Sequence, residues 1–147
     1  VMHRNLADAL LRQSKAVEAR QAFTLALARA RAQVAINPAD ARAAGTVAYA
    51  LARLGLCDDA LVAAGRVDTL GSRNPSVIAN LANAWALCGR MADAFRSVRT
   101  LKASGAPLAD LLEHDVLQQL KSLPEFSQLL DPVALLKGSR LTSHVSG

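Results

Sequence analysis

Apolar and small residues recur at helical spacing along most of the chain, separated by polar positions and interrupted by short turn-forming segments. This periodicity predicts amphipathic helices, because residues three and four positions apart share one helix face. The predicted helices span residues 1–13, 16–36, 39–54, 57–71, 75–88, 91–104 and 107–121. A short segment at 125–130 and one more turn at 132–137 follow. The pattern therefore predicts an all-α protein.

Two of the interruptions repeat each other. Gly55 and Gly89 lie 34 residues apart, and each follows one predicted helix and precedes another. Glycine just past a helix end supplies the left-handed residue that closes the helix. Asp58 and Asp93 then open the next helices, where the helix dipole favours negative charge. The sequence therefore predicts the same helix–turn–helix hairpin twice.

A third copy of the hairpin lies upstream, with Ser14 in the turn. Its small residue Ala19 precedes Ala60 by 41 residues, and Ala60 precedes Ala94 by 34. The extra seven residues amount to about two helical turns. They predict an overlong second helix in the first hairpin, over residues 16–36.

Prolines mark the predicted boundaries between hairpins. Pro38, Pro75 and Pro107 stand at expected helix starts, where the missing N–H costs little. Asn37 and Asn74 precede two of them and are expected to cap the helices that follow. A single domain is predicted, with hairpins at 1–37, 38–73 and 74–105, a cap at 106–137 and a flexible tail at 138–147.

The repeated hairpin resembles the tetratricopeptide repeat family over roughly residues 1–105. The third copy matches the family pattern at Ile78, Leu81, Ala82, Trp85, Gly89, Ala94, Val98 and Leu101. The second copy matches at Ala44, Val47, Ala48, Leu51, Gly55, Ala60, Ala64 and Val67, and the first at His3, Leu6, Ala7, Leu10, Ala19, Phe23 and Ala26. The resemblance implies a right-handed superhelical stack of antiparallel hairpins that binds other proteins. Few large aromatic residues are kept, and the prolines that close the first two copies come late.

The segment after the third hairpin is expected to be a cap, because the last repeat of a stack would otherwise expose its apolar face. Residues at helical spacing would cover that face: Leu111, Leu112, Val116, Leu117 and Leu120, with Phe126, Leu129 and Leu130 closing the edge. The segment resembles the ends of bacterial repeat proteins, including kinases and transcriptional regulators. This implies a C-terminal repeat region of a larger bacterial protein.

Composition narrows the choice of partner. The chain has 17 basic and 12 acidic residues, a net charge of +5, but its arginines are dispersed and aromatic residues make up only 3%. This pattern does not indicate nucleic-acid binding, and no uncharged stretch is long enough to span a membrane. Two cysteines, Cys57 and Cys88, fall near the turns of consecutive hairpins and could lie close in space. They are expected to be buried or semi-buried thiols in a cytoplasmic protein; a redox pair is the alternative, although no Cys-x-x-Cys motif supports it.

Motifs for catalysis do not occur in the sequence. Its glycines form no phosphate-binding loop, and a nucleophile elbow is missing. Glu113, His114 and Asp115 are adjacent, so on a helix they point in different directions and cannot converge on one metal ion. They are expected to form a solvated cap surface. We therefore predict a protein that is not an enzyme and has no metal or cofactor.

The first helix of each hairpin is expected to line a concave groove that binds the partner. The residues outside the packing pattern on these helices are Arg4, Asp8, Arg12, Arg42, Tyr49, Arg53, Asn80 and Asn83. Arginine binds carboxylates in a bidentate manner, and asparagine can bond an extended backbone, so an acidic peptide is a candidate partner. Two alternatives stay open: a regulatory or sensory domain of a larger signalling protein, and a self-association module that forms a homodimer.

Overall fold

The structure is a computed structural model that describes the backbone of residues 2–130 and the side chains of residues 6–128. Every regular element in that range is a helix. The elements are α1 (Met2–Arg12), α2 (Ala16–Ile36), α3 (Ala41–Arg53), α4 (Cys57–Leu70), α5 (Pro75–Leu87), α6 (Met91–Ala103), α7 (Leu108–Leu111), α8 (His114–Lys121) and α9 (Pro124–Leu130). The all-helical prediction is confirmed for this part of the chain.

Three helix pairs, α1/α2, α3/α4 and α5/α6, are each joined by a three-residue turn, and α3 also packs against α2 and α5. Each turn closes in the same way, by a backbone N–H that donates to a carbonyl five residues earlier. The three bonds are Lys15 to Leu10 (2.9 Å), Leu56 to Leu51 (2.9 Å) and Arg90 to Trp85 (2.8 Å). This closure needs a left-handed residue within the turn. Gly55 and Gly89 supply it in two turns, and Ser14 adopts the same conformation, with φ 61°, in the first.

Small residues let the paired helices approach closely. Six alanines at repeated positions are at most 1% exposed: Ala7, Ala48 and Ala82 on the first helices, and Ala19, Ala60 and Ala94 on the second. Larger side chains fill the space around them, among them Phe23, Tyr49 and Trp85. The sequence assigned these alanines to the helix contacts, and their burial confirms it.

The helix starts agree with the sequence, with one correction. Asn74 caps α5 as predicted, since its Oδ1 accepts from the Ser76 N–H at 2.9 Å. The start of α3 is Ala41, two residues after the predicted start at 39, and its cap is Asp40, which accepts from the Ala43 N–H at 3.1 Å. Asn37 instead bonds the Ala39 N–H within the loop.

The prediction of one helix over residues 107–121 is wrong. The chain forms α7 and α8 with two extended residues between them, Leu112 (φ −86°, ψ 141°) and Glu113 (φ −65°, ψ 145°). Leu112 is buried at 4% exposure, so the break places its side chain in the core.

Of the residues expected to cover the third hairpin, Leu111 is half-buried, and five are buried: Leu112, Val116, Leu117, Leu120 and Phe126. The turn predicted at 132–137, the tail at 138–147 and the side chains of Leu129 and Leu130 lie outside the described residues. None of the helices within residues 2–130 has the length and hydropathy needed to cross a membrane.

Candidate functional site

The first helices of the three pairs present a shared row of polar side chains, which we call the first-helix groove: Asp8 and Arg12 of α1, Tyr49 and Arg53 of α3, and Asn80 and Asn83 of α5. Within each helix the two residues are three or four positions apart and so lie on one face. Asp8, Tyr49 and Asn83 are separated by the same 41- and 34-residue spacings as the repeated alanines. The repeat therefore brings equivalent positions of three helices side by side.

A continuous hydrogen-bonded chain runs across this groove. The Tyr49 hydroxyl donates to Asp8 Oδ1 at 2.7 Å and accepts from Arg53 Nε at 2.8 Å. The two Nη atoms of Arg53 then donate to both oxygens of Asp115 on α8, at 2.6 and 2.8 Å. Asp8 is 4% exposed and Tyr49 is fully buried. Buried polar groups are costly without partners, and this chain of bonds supplies them.

The same contacts set the ionisation of the three groups. Burial raises the pKa of the Tyr49 phenol well above its ordinary value, and the neighbouring Asp8 carboxylate adds to the rise, so the phenol stays neutral. Burial by itself would lower the pKa of Arg53, but the hydrogen bonds to Asp115 and Tyr49 outweigh it and raise the pKa overall. The bond from Arg53 lowers the pKa of Asp115. A charged guanidinium–carboxylate pair at neutral pH follows.

The extended residues between α7 and α8 are held by the groove. Asn83 Oδ1 accepts from the Glu113 backbone N–H at 3.2 Å. Arg12 Nη1 lies 3.5 Å from Glu113 Oε2. Together with the Arg53–Asp115 pair, these contacts grip one backbone group and two carboxylates of segment 112–115. The groove thus binds an acidic stretch of its own chain by the contacts expected for a peptide.

A small cavity of about 260 Å³ continues the groove beside this segment, between α1, α5 and α7. Asn80 lines it and is only 6% exposed. Among the described residues, the buried amide nitrogen without a hydrogen-bond partner in this groove is Nδ2 of Asn83. Gly45 of α3 packs next to Asn80, since a Cβ added there would lie in van der Waals contact with Asn80 Nδ2, at 3.4 Å. The cavity is the open end of the groove.

The remaining predicted site residues lie apart from this arrangement. Arg42 is exposed near the start of α3 and takes no part in the network of Tyr49 and Arg53. The side chain of Arg4 is outside the described residues.

Sequence reasoning missed Glu113 and Asp115 as groove residues. It expected a solvated cap surface, whereas the side chain of Glu113 is only 14% exposed and Asp115 pairs with Arg53. The expectation followed from the single helix predicted over residues 107–121. No glycine or proline between residues 108 and 121 marks the break that turns these carboxylates toward the groove.

The prediction of two free thiols is also wrong, since Cys57 and Cys88 form a disulfide with their Cα atoms 5.5 Å apart. Cys57 is the first residue of α4, and Cys88 follows the last residue of α5. The bond therefore ties the second helix pair to the third. The two cysteines are 31 residues apart and occupy different positions of the repeat. Their closeness could be predicted only from the expectation that neighbouring helix pairs stack on each other.

Within the described residues, no group of three or more His, Cys, Asp or Glu side chains is placed to hold a metal ion. Compared with known proteins, the chain matches no family model, no curated protein and no solved structure. The tetratricopeptide resemblance accordingly stands on the residues quoted above.

Proposed function

We propose that the chain is a non-catalytic protein-interaction module that binds an extended acidic peptide in the first-helix groove, in exchange for its own segment 112–115. The observation that carries this proposal is the set of contacts that the groove makes with Glu113 and Asp115. Asn83 bonds a backbone N–H, and Arg53 binds a carboxylate with both Nη atoms. These are general modes of peptide and carboxylate recognition.

The contact between Arg53 and Asp115 is exposed on the Asp115 side, where a carboxylate of a partner can compete with Asp115. The side chain of Asp115 is 57% exposed, whereas that of Arg53 is only 6% exposed. The guanidinium is therefore fixed and preorganised, and the carboxylate that it holds is accessible. The cavity beside Asn80 offers a further buried amide next to the same segment.

The resemblance to the tetratricopeptide family supports this proposal, and so do the three identically closed turns and the buried alanines at repeated positions. We extend it to the architecture: a right-handed superhelical stack of antiparallel hairpins with the first helices on the concave side. A regulatory role within a larger signalling protein, and self-association, stay predictions.

The compartment also stays a prediction. The sequence predicts the cytoplasm, but the Cys57–Cys88 bond favours an oxidising compartment, because cytosolic thiols are kept reduced. Counting free thiols in protein isolated under thiol-trapping conditions separates the two.

Peptide exchange tests the groove. The probe is a fluorescent peptide with the sequence of residues 108–121, added to the full chain and followed by anisotropy. An intramolecular segment competes at an effective concentration of about 1 mM, so the unaltered chain should bind the peptide poorly. The double variant Glu113→Gln/Asp115→Asn weakens the internal segment and should bind the peptide at least about tenfold tighter.

The matched controls use the same groove. Adding Arg53→Met to the double variant should abolish the gain, because the incoming carboxylate loses its partner. A probe peptide that carries Asn in place of Asp115 should also bind weakly. Equal binding of the peptide to the unaltered chain, the double variant and the triple variant would contradict the proposal.

A further inference from the structure

A second surface lies on the other side of α3, in a cleft of about 580 Å³ that we call the α2–α4 cleft. Its floor is formed by Ala44, Val47 and Leu51 of α3, and its apolar walls include Val34 of α2 with Val62 and Leu70 of α4. Val62 is 58% exposed and Leu70 is 40% exposed. Large apolar side chains left open along one cleft indicate a binding surface.

The cleft exists because α2 and α4 both pack on α3 but scarcely touch each other. The overlong α2 runs on to Ile36, so its last turns stand opposite α4 across the floor of α3. Two walls and a floor made of helices leave a slot of the shape that a further helix would fill.

The length of the cleft agrees with a helical occupant. Its lining runs along α4 from Asp59 to Leu70. At the rise of an α-helix these eleven steps span about 17 Å, or about three turns. An extended peptide would need hydrogen-bond partners for its backbone, and the apolar walls offer few. A helix satisfies its own backbone groups and needs only an apolar stripe.

The charges at the cleft indicate what flanks that stripe. Arg31 stands on the α2 wall and Arg66 on the α4 wall, both exposed. Within the part of the chain that the structure describes, neither guanidinium has an ion-pair partner. Asp59 is the single acidic residue of the lining. An apolar slot with an arginine on each side is complementary to an apolar helix face bordered by carboxylates.

We propose that the α2–α4 cleft binds an amphipathic helix of another protein, about three turns long, with acidic residues on both sides of its apolar stripe. This site does not depend on the first-helix groove. Its apolar contacts come from α3 and the two walls, and its specificity comes from Arg31 and Arg66.

The test uses two synthetic helices of about 14 residues with leucines spaced three and four apart on an alanine background. One carries glutamates beside the leucine stripe and the other carries lysines at the same positions. The full chain should bind the glutamate helix saturably and at least about tenfold tighter than the lysine helix. Methyl NMR signals of Val47 and Val62 should shift on binding, while those of Val116 should stay in place.

Charge reversal provides the control. The variant Arg31→Glu/Arg66→Glu should reverse the preference between the two helices. The variant Arg29→Glu/Arg99→Glu changes the net charge equally at exposed positions outside the lining and should keep the original preference. Val62→Gln, at an exposed position, should weaken binding of the glutamate helix without unfolding the chain.

Three results would overturn the proposal. One is no saturable binding of either helix, and another is equal affinity for both. The third is a concentration-dependent dimer in sedimentation that Arg66→Glu disperses, since the cleft would then belong to a second copy of the chain. Failure of peptide exchange in the first-helix groove leaves these outcomes unaffected.

Discussion

The first-helix groove and the α2–α4 cleft lie on opposite sides of α3, yet the chain treats them differently. In the groove, Tyr49 and Arg53 are held in a bonded chain that ends on the chain's own Asp115. In the cleft, the half-buried Ala44 and Val47 belong to an apolar floor that no described segment covers. One surface is polar and occupied, and the other is apolar and open.

The difference follows from the free energy that each surface would lose if nothing covered it. A buried polar group without a partner loses about 1–3 kcal/mol. The groove contains several buried polar groups, and segment 112–115 stabilises the fold by supplying partners to the Arg53 guanidinium and to Asn83 Oδ1. An apolar cleft open to water forgoes about 25 cal/mol per Å² of exposed apolar surface. Its arginines lie in solvent, so the open cleft leaves neither guanidinium buried without a partner.

The largest loss of stability is expected on removing the disulfide that joins the two regions. Cys57–Cys88 links α4, a wall of the cleft, to α5 of the groove, across 31 residues of sequence. Chain-entropy reasoning gives such a crosslink about 4 kcal/mol. The variant Cys57→Ser/Cys88→Ser should lose about 3–4 kcal/mol in the free energy of unfolding, measured with urea. Reductant should destabilise the unaltered chain and leave the variant unchanged; two free thiols in the oxidised, native protein would contradict the account.

A matched pair of arginine substitutions separates the two surfaces. Arg53→Met removes the pair with Asp115 and the bond to the Tyr49 hydroxyl, and should lower the free energy of unfolding by about 2 kcal/mol. Arg66→Met removes an exposed, unpaired cation and should change the free energy of unfolding by less than about 0.5 kcal/mol. Both values come from urea unfolding curves. Equal losses would show that the groove network does not stabilise the fold.

Removing one hydroxyl tests the centre of the network. Tyr49→Phe keeps the buried ring, including its edge-to-face contact with Phe23 at 5.8 Å. It takes away the donor to Asp8 and the acceptor for Arg53, so we expect a loss of about 1–2 kcal/mol in the free energy of unfolding. Apolar packing should stay intact, with an unchanged denaturant slope. A neutral effect would show that Asp8 does not need this donor.

The smallest expected effect is the loss of stability at acidic pH, when the carboxylate of Asp115 becomes protonated. The folded pKa of Asp115 lies below its ordinary value of 3.8, so the carboxylate stabilises the fold above that value. The contribution is lost as the pH falls through the lowered folded pKa, because the neutral acid no longer pairs with Arg53. The unaltered chain should therefore exceed Asp115→Asn in stability by about 1 kcal/mol at neutral pH, and the gap should close as the pH falls through the lowered folded pKa of Asp115. A gap that is independent of pH would contradict the ion pair.

The helical framework could be predicted because its signals are local. The extra seven residues before Asn37 predicted the overlong α2, and the repeated alanines identified the helix contacts. Turn residues such as Gly55 and Gly89 marked the ends of the paired helices. Each of these features depends on neighbouring residues or on a fixed repeat.

The occupied state of the groove could not be predicted, because it depends on contacts between distant residues. Arg53 and Asp115 are 62 positions apart, and Asn83 and Glu113 are 30 apart. Nothing in the sequence around Leu112 signals a break in the helix, since the break is stabilised by burial of Leu112 and by the hydrogen bond that the Glu113 N–H donates to Asn83 Oδ1. The α2–α4 cleft escaped prediction for a similar reason, because it arises from the separation of two helices.

Hydrogen exchange at the Glu113 amide tests most directly whether the chain occupies its own groove. That N–H donates to Asn83 Oδ1 at 3.2 Å, although Glu113 lies outside any helix. We expect exchange at least about tenfold slower than for an unstructured peptide, and a return to the unprotected rate in Asn83→Ala. An unprotected rate at Glu113 in the unaltered chain would mean that segment 112–115 does not lie in the groove, and would contradict the account.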